Sequence, residues 1–257
     1  MRHDIPVEGG GTVPFECAPD YVSRWLHGEI LAGRTYPHLP FLDDVQVVFD
    51  VGANCGATSI HFARHHPHAT IHAFEPGSEQ RAYLERNVAP YPNVHVHPIG
   101  LHDRDGEVPL YFGEGNTGLA SIVPRADNQE GSEVVVVRSA AAWAQEHGID
   151  RIDILKVDVE GVELAVLGSL APLLPTVQAL YVEYDSRHDR RAIEALVRPT
   201  HELFRGLAFL DQGELVYLRR DLADHPGVAV RLQELFTGQT APTPQTPAPE
   251  SPTSGVV

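Results

Sequence analysis

The stretch Val47-Val48-Phe49-Asp50-Val51-Gly52-Ala53-Asn54-Cys55-Gly56 constrains this chain more than any other. An apolar run ends in an acid and then in two glycines, and Ala57 onward can start a helix. Strand, tight glycine turn and helix in that order is how a parallel α/β sheet presents a nucleotide-like ligand. Glycine lets backbone approach the ligand with no Cβ in the way, and the helix start offers unpaired N–H groups.

The rest of the chain repeats the alternation. A strand over 45–51 precedes a helix over 57–65; a strand over 70–75 precedes a helix over 78–88; a third strand covers 93–101. Strands alternating with helices imply parallel pairing with helices on both faces. The span 102–138 breaks the rhythm with extended segments at 108–112 and 133–138 around a glycine-rich loop, 113–121. A helix over 139–147, a strand over 152–159, a helix over 161–170, a strand over 177–183 and a helix over 190–197 resume it. Segments 207–210 and 214–219 read as a terminal hairpin, followed by a helix over 224–236. The final stretch, 237–257, is rich in Pro, Thr and Ser and is expected to be disordered. Residues 1–44 hold a short helix near 20–27 and a loop-like stretch, 33–40, that carries Tyr36. That loop lies either over the mouth of a site, where Tyr36 would touch substrate, or against the sheet edge. The expected division is an N-terminal helical or lid segment at 1–44, a main domain at 45–220, and a C-terminal helix and tail at 221–257.

Composition narrows the partners. The formal net charge is −16, which argues against a nucleic-acid backbone and against anionic membrane surfaces. No run approaches the length of a membrane span, and Met1-Arg2-His3-Asp4 is not followed by the apolar stretch of a signal peptide. Cys17 and Cys55 have no metal-ligand spacing and read as reduced thiols of a cytoplasmic protein. A small-molecule substrate is expected; the oligomeric state is not legible.

The ligand can be argued from the turn. A dinucleotide turn would read G-x-G-x-x-G, and here Asn54 stands where its second glycine would be. The carboxylate of Asp50 beside the turn suits a cationic ligand group and would repel a pyrophosphate. A sulfonium such as S-adenosylmethionine fits. Glu75 closes the second strand, where a carboxylate accepts ribose hydroxyls, a feature that NAD sites share. Its structural alternative is helix-dipole stabilisation ahead of the 78–88 helix. Asp158 and Glu160 lie two apart at the end of the 152–159 strand and so point to one side. The following strand ends in Glu183-Tyr184-Asp185, with His188 beyond. Lys156 points the same way as Asp158, so a structural ion pair competes with a catalytic role there. Glu163 reads as a charge at a helix start.

Taken together, the 50–56 turn, Phe74-Glu75-Pro76, the Asn116-x-Gly118 loop and Lys156-Val157-Asp158-Val159-Glu160-Gly161-Val162-Glu163 resemble the FkbM family of S-adenosylmethionine-dependent methyltransferases over about residues 45–185. The resemblance implies a class I methyltransferase fold, Rossmann-like α/β with a seven-stranded, mostly parallel sheet. It also implies O-methylation of a small molecule, often a sugar or a natural-product hydroxyl. By the same resemblance Asp50, Gly52, Asn54 and Gly56 would hold the methionine end of the cofactor and Glu75 the ribose. Gly100 and Leu101 would border the adenine, and Asn116, Glu160, Glu183 and Tyr36 would face the substrate.

Two routes could remove the acceptor's proton. Asp158 or His188 could take it directly. Alternatively Asp158, Glu183 and Asp185 could hold a divalent ion; oxygen-only ligands fit Mg²⁺, Mn²⁺ or Ca²⁺. His65, His66 and His68 also cluster in sequence, but at a helix end solvated turn residues are the commoner outcome. The competing functions are an NAD-dependent oxidoreductase, which shares the turn and Glu75, and a non-catalytic cofactor-binding subunit.

Overall fold

A computed structural model of the chain describes residues 2–19, 21–113, 116–124 and 131–237, with backbone alone for 21–23, 113 and 116–119. The stretch 238–257, nearly all of the expected disordered tail, lies outside the described residues.

The apolar strands build one seven-stranded sheet. Its centre is β3 (Val47–Val51), flanked in parallel by β4 (Thr70–Phe74) and β10 (Ile154–Val157). Outward on one side lies β5 (Val94–His97); on the other lies β11 (Ala179–Tyr184). Beyond β11 comes β13 (Gly213–Arg219), antiparallel to it, and at the edge β12 (His201–Ala208). The order β12-β13-β11-β10-β3-β4-β5, with one antiparallel strand next to the edge, is the class I methyltransferase sheet. Each inner strand is covered on both faces. In β3, Val48 enters one apolar core while Phe49 and Val51 enter the other, which is why the strand reads as a continuous apolar run.

Helices α2 (Ala57–His65), α3 (Ser78–Val88), α5 (Glu163–Ser169) and α6 (Arg187–Val197) follow strands as the alternation demands. Helix α4 (Ala140–Glu146) is capped by Ser139, whose Oγ accepts from the Ala142 amide. α6 starts earlier than the pattern suggests because Ser186 caps it, accepting from the Asp189 amide at 3.0 Å. The sequence then closes with α7 (Pro226–Thr237).

Three features depart from the sequence reading. The expected strand over 93–101 is cut: β6 (Gly100–His102) leaves the main sheet and pairs in parallel with β9 (Gly131–Ser139). Pro98, which has no amide hydrogen, stands at the break. β9 also pairs with β7 (Gly106–Gly113), and β7 with β8 (Asn116–Ser121), so the glycine-rich stretch contributes a strand to a second, four-stranded sheet. The N-terminal segment holds a hairpin, β1 (Arg2–Pro6) and β2 (Thr12–Glu16), before helix α1 (Tyr21–Leu31). Gly9, Gly10 and Gly11 between its strands all have positive φ, the conformation that glycine adopts without strain.

Candidate active site

The turn after β3 packs against the end of β10. Gly52 has φ 79°, and a Cβ on it would stand 1.8 Å from the carbonyl oxygen of Asp158, so only glycine fits. Gly56, at φ 91°, caps α2 where a Cβ would press on Leu84 of α3 at 2.7 Å. Between them Asn54 has φ 48°, a left-handed conformation that Asn tolerates better than most residues. The turn is tied to the next strand end. The Asn54 amide donates to Glu75 Oε2 at 2.9 Å and the Gly77 amide to Oε1 at 2.7 Å. Burial pushes the Glu75 carboxyl up to about 7, against the pull of those two amides and of Lys156.

At the neighbouring strand end Lys156 is buried and in register with Asp50 across β10 and β3. Its Nζ lies 3.4 Å from Asp50 Oδ1 and 3.5 Å from Asp158 Oδ2, and donates to the Gly52 carbonyl at 2.5 Å. Burial alone would lower the ammonium pKa; Asp158 and Asp50 reverse this and hold it above its usual value. Asp50 is fully buried, and its other oxygen accepts from Ser59 Oγ at 2.6 Å.

Asp158 accepts from the Tyr36 hydroxyl at 2.8 Å, and it shares a hydrogen bond with Glu183. Burial would raise Asp158, but the Lys156 ammonium and the hydrogen bonds from Glu183 and Tyr36 hold it below the usual carboxylate value. Glu183 moves the other way, well above its usual value, through burial and the Asp158 charge. The two carboxyl groups therefore titrate as an interacting pair, Asp158 pulled down and Glu183 pushed up. Glu214, in register with Glu183 across β11 and β13, is pushed by burial up to about 7.

These groups line one cavity of about 420 Å³ at the carboxyl ends of the parallel strands. Gly52, Asn54, Glu75, Gly100 and Leu101 form one part of its wall, with Phe74, Leu110, Ile122 and Val137 as apolar surface beside them. Tyr36, Asp158, Glu160, Glu183 and Glu214 form another. Gly56 is part of the turn but does not line the cavity, and Asp50 lies beneath it.

Other expected residues fall elsewhere. His188 is exposed on α6 and is not among the lining residues. Asp185 does not line the cavity either, and the acids that converge are Asp158, Glu160 and Glu183, each with an oxygen within 4.8 Å of the others. Glu160, expected on the substrate side, joins Asp158 there although β10 ends at Val157 and Glu160 sits at φ 60°. Asn116 lies in β8, and its side chain is outside the described residues. Glu163 is buried and folds back on its own loop, accepting from the Val159 and Gly161 amides at 3.0 Å each, a structural role.

Sequence reasoning missed Glu214, whose position depends on hairpin register. It also missed Trp25, His27 and Ile30 of α1, which line the cavity. The helix pattern around Trp25 was visible; its target was not.

With this geometry in view, known proteins place the chain. The methyltransferase FkbM domain matches residues 50–216, and the chain belongs to that family. It is a methyltransferase, which sets the oxidoreductase and non-catalytic readings aside. It is 30% identical over 167 residues to Methyltransferase 1 of Beauveria bassiana, covering 57% of this chain and 67% of that one. It is 24% identical over 155 residues to the 2-O-methyltransferase NoeI of Sinorhizobium fredii, covering 55% and 64%. It is 30% identical over 179 residues to the 31-O-demethyl-FK506 methyltransferase FkbM of Streptomyces tacrolimicus, covering 58% and 68%. Each match therefore leaves about a third of the relative's length uncovered.

Proposed function

We propose that the chain is an S-adenosylmethionine-dependent O-methyltransferase acting on a hydroxyl of a small molecule, a sugar or a natural-product intermediate. One observation carries this reading: the glycine turn with Glu75 and the acid group around Asp158 line a single cavity. The names of two relatives, a 2-O-methyltransferase and a 31-O-demethyl-FK506 methyltransferase, support oxygen as the acceptor atom. The net charge of −16 supports a small molecule over a nucleic acid. Among the described residues no helix is long and apolar enough to cross a membrane.

The residues present fit the cofactor. Asn54 and Gly52 offer close backbone, Glu75 offers a carboxylate to ribose hydroxyls, and Gly100 with Leu101 borders an apolar wall suited to adenine. When bound, S-adenosylmethionine supplies an electrophilic methyl group on a sulfonium. The chain's own part is to align the acceptor and to receive its proton. Alignment alone can supply about 7–11 kcal/mol. The Asp158–Glu183 pair is the base we assign, with Tyr36 and Lys156 fixing the Asp158 carboxylate. Glu214, near neutrality, can relay the proton outward. The divalent-ion expectation rests on the acid cluster of Asp158, Glu160 and Glu183 alone.

The test is direct. Thermal unfolding should rise with S-adenosylhomocysteine and not with NAD, and labelled methyl should pass from S-adenosylmethionine to a hydroxylated acceptor. Equal unfolding with and without S-adenosylhomocysteine sinks the cofactor assignment. Full turnover in excess chelator removes the divalent ion.

A further inference from the structure

Away from the cavity, α2 ends against the N-terminal hairpin. His61 and His65, one turn apart on the helix, both direct Nε2 at Glu8 Oε2, each at 3.7 Å. That separation is too long for a hydrogen bond. It suits two ligand atoms of one ion, since bonds of about 2.0–2.1 Å to a shared tetrahedral zinc place ligand atoms about 3.4 Å apart. The ligand atoms of all three residues lie within 4.8 Å of one another.

We propose that Glu8, His61 and His65 form a binding site for a borderline divalent cation of the zinc class, separate from the methyl-transfer cavity. Two imidazoles and one carboxylate are the donor set such ions take. A second, independent observation points into the site: His61 is 1% exposed, and its Nε2 has no hydrogen-bond partner. A buried polar nitrogen left unmet is costly, and a metal would satisfy it. The carboxylate is already oriented. Arg231 of α7 donates to Glu8 Oε1 at 2.5 Å and the His38 amide donates to Oε2 at 3.3 Å, so outer partners fix the carboxylate while Oε2, with a further lone pair, faces the two imidazoles. Gly33 makes the room, because a Cβ there would stand 1.9 Å from Oε2.

The imidazoles are also in the form that binds metal. Burial and the neighbouring rings of the same cluster lower His61 well below its usual value, and burial with His66 lowers His65 to about 4. His38 stacks on His65 at 4.0 Å and is lowered to about 3 by burial and the same neighbours. The Arg231 guanidinium opposes a dication, so micromolar affinity is expected rather than that of a four-thiolate site. The ion would clasp three separate pieces of chain: the hairpin, α2 and, through Arg231, α7.

The experiment uses the full chain, stripped with chelator and titrated with ZnCl₂ and, for its visible bands, CoCl₂. One equivalent should bind with micromolar or tighter affinity and raise the unfolding temperature by about 5 °C or more at a hundredfold excess over Kd. His65→Ala, at a partly exposed position, should weaken zinc at least tenfold, as should Glu8→Gln. Asp158→Asn, in the other acid group, should leave zinc affinity within twofold. Absence of zinc binding to the stripped wild-type chain overturns the proposal. So does weakening of less than tenfold in His65→Ala, or loss of the bound equivalent in Asp158→Asn.

Discussion

The two ends of α2 make opposite use of charge. At its N-terminus, beside the glycine turn, carboxylates gather around Lys156 and share protons. At its C-terminal end, imidazoles gather around Glu8 and are held neutral. The helix between them has nine residues and is about 13 Å long. The first end is built from strand ends of the parallel sheet, and its groups face a cavity. The second is built from the hairpin, α2 and α7, and its groups face one another. An acid group that exchanges protons suits chemistry; a group of neutral rings suits fastening.

Breaking the acid end at its centre should have the largest effect. Lys156→Met leaves the fully buried Asp50, and the partly exposed Asp158, without their cation, and urea unfolding should show a loss of about 3–5 kcal/mol. A loss under about 1 kcal/mol would mean the ammonium holds nothing in place. Next in size, Asp158→Asn should lower turnover roughly 10²–10⁴-fold while S-adenosylhomocysteine affinity changes little. Equal losses in both would recast Asp158 as part of the cofactor site. Glu75→Gln should do the reverse, weakening cofactor binding by about 1.5–3 kcal/mol, as expected for hydrogen bonds to a charged group, with a smaller change in turnover at saturation.

Stability against pH sharpens the contrast between the two ends. Glu163 and Glu214 are raised from 4.5 to about 7, so their contribution is complete below 4.5 and lost as pH rises through about 7. His65 and His66 are lowered from 6.5 to about 4, so their contribution is complete above 6.5 and lost as pH falls through about 4. Urea midpoints across this range should therefore fall on both sides. Glu163→Gln should flatten the alkaline limb, and His65→Asn the acid limb. If both variants flattened the same limb, the two clusters would not be titrating separately. The smallest effect is expected from His188→Ala, which should keep near-normal turnover because the residue is exposed on α6, away from the cavity.

Much of the acid end was legible in the residues themselves. A strand buried on both faces announces itself as an apolar run, and Gly52 announces a turn that no Cβ could enter. Lys156 and Asp158 share a face by alternation, and the competing ion pair is there. What alternation could not reveal depends on backbone outside strands or on pairing between distant segments. Glu214 reaches Glu183 through antiparallel register, and Trp25 reaches the cavity through packing of a helix that only tertiary structure places. The histidine cluster was hidden for the same reason. His65 stood out within the 65–68 run, but His61 did not, and the carboxylate of Glu8 comes from a hairpin turn far away in sequence.

The contact between Gly52 and the Asp158 carbonyl bears on how this enzyme could be retargeted. The glycine turn and the acid-bearing end of β10 abut as one solid joint, so altering either displaces the other. A new acceptor would be easier to obtain by varying Trp25, His27 and Ile30 of α1, which reach the same cavity from outside that joint, while Tyr36, bonded to Asp158, is kept. Libraries aimed at the strand ends should mostly yield dead protein, whereas those aimed at the overlying helix should yield altered taste for substrate with methyl transfer intact.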